Sequence, residues 1–276
     1  MDPYKILVSE MMLQQTQVSR VEAKYPEFLK RFPKFGTLAK TPKSEVIRAW
    51  SGMGYNIRAI RLREVARIVV EQHGGELPTS AETLQQLPGI GRCTAQAVSC
   101  FAHGKAVPIV DTNVRRVLTR LFWRTSRSTD RQNPEKIRNL TERLLPKNRA
   151  IDWNLALMDL GATICRGSAP RCQECPVQRL CRSAFRIKRV KTRVSRREPF
   201  YQGRPRRYYR GRVVEALRNL NHDGWISARR LGPRVKPDFR PRELPWLHKV
   251  LWHLERDGLI VIRRNKNGIS RYVSLA

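Results

Sequence analysis

Apolar residues recur at helical spacing through most of the first 165 positions. The stretch VSEMMLQQTQVSRVEAKYPEFLKRF (8–32) reads as amphipathic helix. The same pattern runs through SEVIRAWSGM (44–53), IRAIRLREVARIVVEQH (57–73), TAQAVSCFAHG (94–104) and TNVRRVLTRLFW (112–123). Breakers separate these runs at FPKFG, HGGELP and PGIG, so they predict separate helices of ordinary length. Two more helices are expected over PEKIRNLTERLLP (134–146) and AIDWNLALMDLGATIC (150–165). Strand-like alternation is scarce before residue 185.

The pattern then changes. FRIKRVKTRVSRREPFYQGRPRRYYRGR (185–212) is nearly all basic and aromatic with one acid, Glu198. It reads as a linker, assigned to 186–208, poorly ordered without a partner. Tyr208 and Tyr209 lie at its end, where packing competes with stacking on bases. Beyond it, GRVVEALRNLNHDGWISARRL and LPWLHKVLWHLERDGLIVIRRNKNGISRYVSLA predict helix, helix, helix and a β-hairpin turning at NKNG. That is the order of a winged helix, placed at 209–276. The fold class expected is mainly α over 1–185, followed by a small α+β domain.

Charge changes the picture next. The 276 residues carry 55 Lys and Arg against 23 Asp and Glu, a formal charge of +32. Such an excess repels itself unless a polyanion offsets it, so nucleic acid is the leading partner. No run of about 18 apolar residues is present to span a bilayer. MDPYKILVSE lacks the basic start and apolar length of a secretory leader. The expectation is an intracellular protein, cytoplasmic and nucleoid-associated in a prokaryote, monomeric and without membrane contact.

Candidate chemistry sits at three places. Two glycines, Gly89 and Gly91, follow Leu87 in LPGIGRCTA and precede a helix. Glycine permits positive φ and leaves room for a ligand, and a helix N-terminus behind such a turn is an anion site. A tight helix–helix connection accounts for a bare PGIG equally well. Four cysteines, Cys165, Cys172, Cys175 and Cys181, are spaced C-x6-C-x2-C-x5-C. In a reducing compartment they imply a metal, and by spacing alone zinc and an iron–sulfur cluster are both open. Asp111, in VPIVDTNV, suits a helix N-cap, where a carboxylate stays ionised near neutral pH.

The segment Leu-Pro-Gly-Ile-Gly-Arg-x-Thr-Ala resembles the helix-hairpin-helix of DNA glycosylases. The resemblance implies that the hairpin, with Arg92 and Thr94 at its helix, grips one DNA phosphate, and that Asp111 is the superfamily's essential aspartate, aided by Asn113. The cysteine spacing resembles the [4Fe–4S] loop of the endonuclease III and MutY branch. S-E-x-M-L-Q-Q-T at the N-terminus closely resembles the adenine glycosylase family MutY, matching Glu10 to the acid that protonates adenine. Gln14 and Gln15 match the pair at the minor groove. SGMGYNIRAIRL matches Tyr55 to the tyrosine beside the opposing base, with Met53 a further contact. Such an acid needs a raised pKa, which desolvation supplies.

Departures matter as well. Cys93 stands where endonuclease III carries its sugar-attacking lysine and where MutY members carry serine or tyrosine. This implies a monofunctional glycosylase without efficient strand cleavage, with Cys93 a small apolar filler rather than a nucleophile. Asn56 replaces the family's second tyrosine. The C-terminal domain that recognises 8-oxoguanine is not recognisable in the sequence. The reading is hydrolysis of a mispaired adenine from double-stranded DNA, opposite guanine or 8-oxoguanine. A thymine or uracil glycosylase acting on G·T or G·U pairs is the rival enzyme, and a non-catalytic winged-helix DNA-binding protein is the alternative of another class.

Overall fold

The computed structural model describes residues 2–124, 132–187, 200–220, 224–264 and 270–276, the side chains of Ser270 and Arg271 excepted. The NKNG turn and most of the basic stretch at 186–208 lie outside these residues. The chain divides into two compact units, one of residues 1–6, 79–86 and 90–195, the other of 7–78, 87–89 and 196–276. No helix among the described residues is long and apolar enough to cross a membrane.

In chain order, the helices are α1 (Pro3–Leu13), α2 (Val18–Arg31), α3 (Phe35–Lys40), α4 (Lys43–Ala49), α5 (Ile57–Gln72) and α6 (Ala81–Leu84). They continue with α7 (Arg92–His103), α8 (Thr112–Phe122), α9 (Pro134–Leu144) and α10 (Ala150–Asp159). The helix expected over 8–32 is therefore two, because Gln15 turns to φ 55° and ends the first. In addition, α3 begins inside the FPKFG breaker, since Phe35 is buried and anchors it.

In the 79–86 and 90–195 unit, α7 buries Ala97, Cys100 and Phe101 with Ile109 and Ala150. Helix α8 packs against α9 and α10 through Val114, Leu118 and Ile137. Asn154 is fully buried in α10 and stands between these helices and the segment before Asp111. Its carbonyl oxygen accepts from the Ile109 N–H (2.9 Å), and its amide donates to the Val107 carbonyl (3.0 Å). A single turn of π-helix, Leu160–Ile164, leads from α10 to the cysteine segment.

In the other unit, Phe28 meets Phe32 and Trp50 edge to face, at 4.8 and 5.7 Å between centroids. Its later part opens with a two-strand hairpin, β1 (Phe200–Tyr201) and β2 (Arg204–Pro205). There follow α11 (Arg206–Arg218), β3 (Ile226–Ser227), α12 (Ala228–Val235), α13 (Leu244–Arg256), β4 (Ile260–Arg264) and β5 (Ser270–Leu275). The antiparallel sheet runs β3-β5-β4. Helices and sheet share one core of Val213, Leu217, Leu231, Leu247, Leu251 and Val273, among others. Tyr209 belongs to this interior, packed edge-on against Trp246, whereas Tyr208 is exposed under the guanidinium of Arg204.

Each acidic residue of 224–264 is bonded to a cation. Asp257 pairs with Arg210, Glu255 with Arg264, and both Asp238 and Glu243 with Lys236. Glu243 is buried. It accepts from the Tyr201 hydroxyl (2.6 Å), from the Arg240 N–H (2.7 Å) and from Lys236 (3.0 Å). These donors, the tyrosine first, hold its carboxyl at about 2 against an ordinary 4.5. The stabilisation is complete above about pH 4.5 and is lost as pH falls toward 2. Acid unfolding followed by tryptophan fluorescence is expected to show this loss, and Glu243→Gln to flatten it while lowering stability at neutral pH.

Candidate active site and cysteine centre

The turn after α1 is built around a buried guanidinium. Arg58, in the first turns of α5, donates to the carbonyls of Met11 (3.0 Å), Met12 (2.7 Å) and Gln14 (2.6 Å). Its other nitrogen donates to the Thr16 hydroxyl (2.8 Å) and to the carbonyls of Met53 (3.0 Å) and Gly54 (3.2 Å). The first three carbonyls lie at the C-terminal end of a helix, where no intrahelical N–H is available to them. Burial lowers the pKa of Arg58 to about 10, which leaves it charged at neutral pH. Its guanidinium also lies over the rings of Trp50 and Tyr55. Arg58 thus joins the end of α1 to the 51–56 loop.

These two segments carry the predicted DNA contacts. Glu10 is half-buried on α1. Gln15 is exposed, and Gln14 donates to the Gly89 carbonyl (3.2 Å), bracing the glycine turn. Tyr55 is 53% exposed at φ 44°, a backbone state that costs a non-glycine residue about 1–2 kcal/mol. Met53 is only 2% exposed, so the loop presents the tyrosine and keeps the methionine inside.

The two turn glycines differ. Gly89 sits at φ 79°, and a Cβ there would lie 2.5 Å from Cδ of Arg61. Gly91 is extended backbone at the N-cap of α7, with nothing within 4 Å of a Cβ and no side chain capping the helix. Leu87 and Ile90 are buried beneath, and Arg92 is exposed. The conformational demand therefore falls on Gly89, and Gly91 leaves the approach to the helix N-terminus open. Thr94 is buried. Cys93 is partly buried against the Ala97–Cys100–Ile109 cluster, the packing of a small apolar filler, and it forms no disulfide.

Asp111 caps α8, its carboxylate accepting from the Val114 N–H at 2.6 Å. Asn113 follows in the first turn and accepts from Arg116 (2.8 Å). It packs on Gly161, where a Cβ would lie 2.6 Å from the asparagine's own. Arg116 continues to the carbonyls of Gly161 (2.6 Å) and Cys165 (2.8 Å). One turn on, buried Arg120 donates to the carbonyls of Arg166 and Gly167 (2.7 Å each) and to Sγ of Cys165 (3.4 Å). Its own carbonyl accepts from the Cys181 thiol and the Ser183 N–H. One helix thus carries Asp111 at its start and the cysteine segment at its end.

Cys165, Cys172, Cys175 and Cys181 line one cavity with Ile164, Pro170 and Arg120, and none forms a disulfide. Burial, with repulsion from neighbouring thiols, pushes Cys175 and Cys181 up. Among the described residues no group of three or more His, Cys, Asp or Glu is arranged to hold a metal ion. The thiols surround a space and do not converge on a point.

A family model described as HhH-GPD superfamily base excision DNA repair protein matches residues 8–147. The chain belongs to this superfamily. The HhH-GPD match takes in α2–α9, the glycine turn and Asp111. Among relatives of this HhH-GPD chain, an adenine DNA glycosylase of Mycolicibacterium smegmatis is 41% identical over 222 residues, covering 78% of this chain and 72% of the relative. The adenine DNA glycosylase of Mus musculus is 45% identical over 187 residues, 67% of this chain. The match spans about a third of the mouse protein's length, 36%. The structure of a thermostable thymine-DNA glycosylase superposes with a TM-score of 0.60 at 38% identity, covering 65% of this chain and 83% of that one.

Sequence reasoning missed Arg58, Asn154, Arg116 and Arg120. The two arginines of GYNIRAIRL were the only signal for the first, and a lone asparagine among apolar residues for the second. The two glycines make separable predictions. Gly89→Ala is expected to cost at least about 1–2 kcal/mol from its left-handed backbone alone. Gly91→Ala should cost less than about 1 kcal/mol. Thermal unfolding of the two variants checks the contrast.

Proposed function

We propose that the protein is a monofunctional adenine DNA glycosylase, hydrolysing the bond between a mispaired adenine and its sugar in double-stranded DNA. The observation that carries this reading is the 41% identity to an adenine DNA glycosylase over 72% of that relative's length. The S-E-M-M-L-Q-Q-T run at the end of α1 and in the turn after it supports it from the residues themselves. We read the chain as a helix-hairpin-helix domain over 1–185, a basic linker over 186–208 and a winged-helix-like domain over 209–276, acting as a monomer.

A stacked base is out of reach of any side chain, so the target nucleotide is first extruded, at a cost of a few kcal/mol. The glycine turn takes a phosphate at the N-terminus of α7, whose N-cap is a glycine, where backbone donors and the helix dipole favour an anion. Gln15 and Tyr55, both exposed, enter the vacated stack. Glu10 donates a proton to the leaving adenine, which departs neutral. Asp111, fixed by the α8 N-terminus, stabilises the positive charge that develops on the sugar. Water then adds to the sugar carbon and gives up a proton, which returns the Glu10 carboxylate to its acid form. The division of labour is that of two-carboxylate glycoside hydrolysis. Cys93, packed in an apolar cluster, supplies no amine for strand cleavage.

The four cysteines fit a cluster that occupies a cavity better than a single ion, and Arg120 at the wall supplies a cation to thiolates. We propose a [4Fe–4S] cluster held by Cys165, Cys172, Cys175 and Cys181, which when bound cross-links the loop. Arg116 and Arg120 hold the loop's carbonyls from outside. The purified protein is expected to be brown, with visible thiolate–iron absorption lost in Cys172→Ser. A colourless protein carrying one zinc would replace the cluster in this reading.

Single-turnover assays test the catalytic assignment on A·8-oxoguanine, A·G, G·T and G·U duplexes, with alkali to reveal abasic sites. Adenine release is expected. Glu10→Gln and Asp111→Asn should each abolish it while leaving duplex affinity within about threefold, since asparagine also caps helices well. Release of thymine or uracil instead would favour the chemistry of the thymine-DNA glycosylase neighbour. Normal rates in both variants would end the assignment.

A further inference from the structure

The C-terminal segment is bolted to the helices that flank the Tyr55 loop by an exchange of arginines. Arg218 ends α11, and its guanidinium donates to the Ile47 carbonyl at 2.9 and 3.1 Å. Ile47 lies in the last turns of α4, where carbonyls lack intrahelical partners and a cation is favoured. In return, Arg48 donates to the carbonyls of Arg218 and Leu220 at the end of α11. Each helix therefore has its C-terminus capped by the other's arginine. Ile47, fully buried, and Ile60 of α5 pack into the core formed by α11, α12, α13 and the sheet.

A third bond reaches the loop. Arg218 also donates to the side-chain oxygen of Asn56 (2.8 Å), the residue next to Tyr55. Asn56 is the N-cap of α5 but does not use its side chain to cap it; the oxygen goes to Arg218. Arg218 is only 8% exposed and pairs with Glu215 at 2.9 Å, so its orientation is fixed from two sides. The 51–56 loop is thus gripped by Arg58 through Met53 and Gly54, and by Arg218 through Asn56.

We propose that Arg218 is a positioning residue for base excision. Through Asn56 it sets the pose in which Tyr55 meets duplex DNA, so a segment carrying none of the catalytic groups takes part in opening the stack. This rests on the reading that Tyr55 enters the duplex. It gives the asparagine that replaces the family's second tyrosine a role: the acceptor for a cation from the C-terminal segment.

The test uses the full chain and a mismatched duplex with 2-aminopurine beside the base opposite adenine, whose fluorescence rises when the stack opens. Asn56→Ala removes the acceptor and leaves the Ile47 cap in place. It is expected to lower the fluorescence rise and slow single-turnover adenine release by about tenfold, with little change in melting temperature. Arg218→Ala should do the same with a larger loss of stability. In a Tyr55→Ala background, neither change should slow release by more than about twofold, because positions acting through one another are not additive. A wild-type fluorescence rise and rate in Asn56→Ala would overturn the proposal, as would losses that add fully to that of Tyr55→Ala. If Tyr55→Ala itself leaves the fluorescence rise intact, the reading of Tyr55 falls, and the proposal with it.

Discussion

Five carbonyl oxygens and a hydroxyl converge on the guanidinium of Arg58, and the geometry of the end of α1 and of the 51–56 loop follows from that convergence. A buried cation is tolerable only if its donors are used, and a planar fork can use them on several acceptors at once. Helix α1 has to stop so that Gln14 can reach the glycine turn and Gln15 can face outward. Stopping a helix inside a fold exposes carbonyls that need donors. Arg58 supplies these and, with the same group, fixes the loop that displays Tyr55. A lysine would offer a point charge without the fork.

Helix α8 organises the other unit in a comparable way. Its first turn positions Asp111 through a backbone donor and Asn113 through Arg116. Its later turns tie down the carbonyls around Cys165. A disturbance of the cysteine segment has a short covalent and hydrogen-bonded route to the aspartate. The contact of Gly161 with Asn113 leaves no room for a side chain in between, so the π-turn and the first turn of α8 are held at one separation.

Much of this was legible from the residues. Helical periodicity located most helices of the first 165 positions, because their buried faces recur every three to four residues. The glycine turn, the Asp111 cap and the cysteine set were found from residue types whose chemistry is local. What escaped was non-local. The break at Gln15 left no breaker residue in the sequence; it is enforced by Arg58, more than forty positions away. Met53 was expected as a further contact beside Tyr55 and is interior, because the chain reverses at Gly52 and Gly54, both at positive φ. Arg48 and Arg218 look like any two of 55 basic residues until the fold puts each at the other's helix end.

The internal pairing of every acid in 224–264 has a bearing on the field that this segment presents to its surroundings. With Asp238, Glu243, Glu255 and Asp257 each bonded to a cation, few of the arginines and lysines of that stretch are matched by its own acids. A polyanion meeting such a surplus of positive charge would shed its own condensed counterions with a gain in entropy, and the strength of that encounter would fall as salt rises.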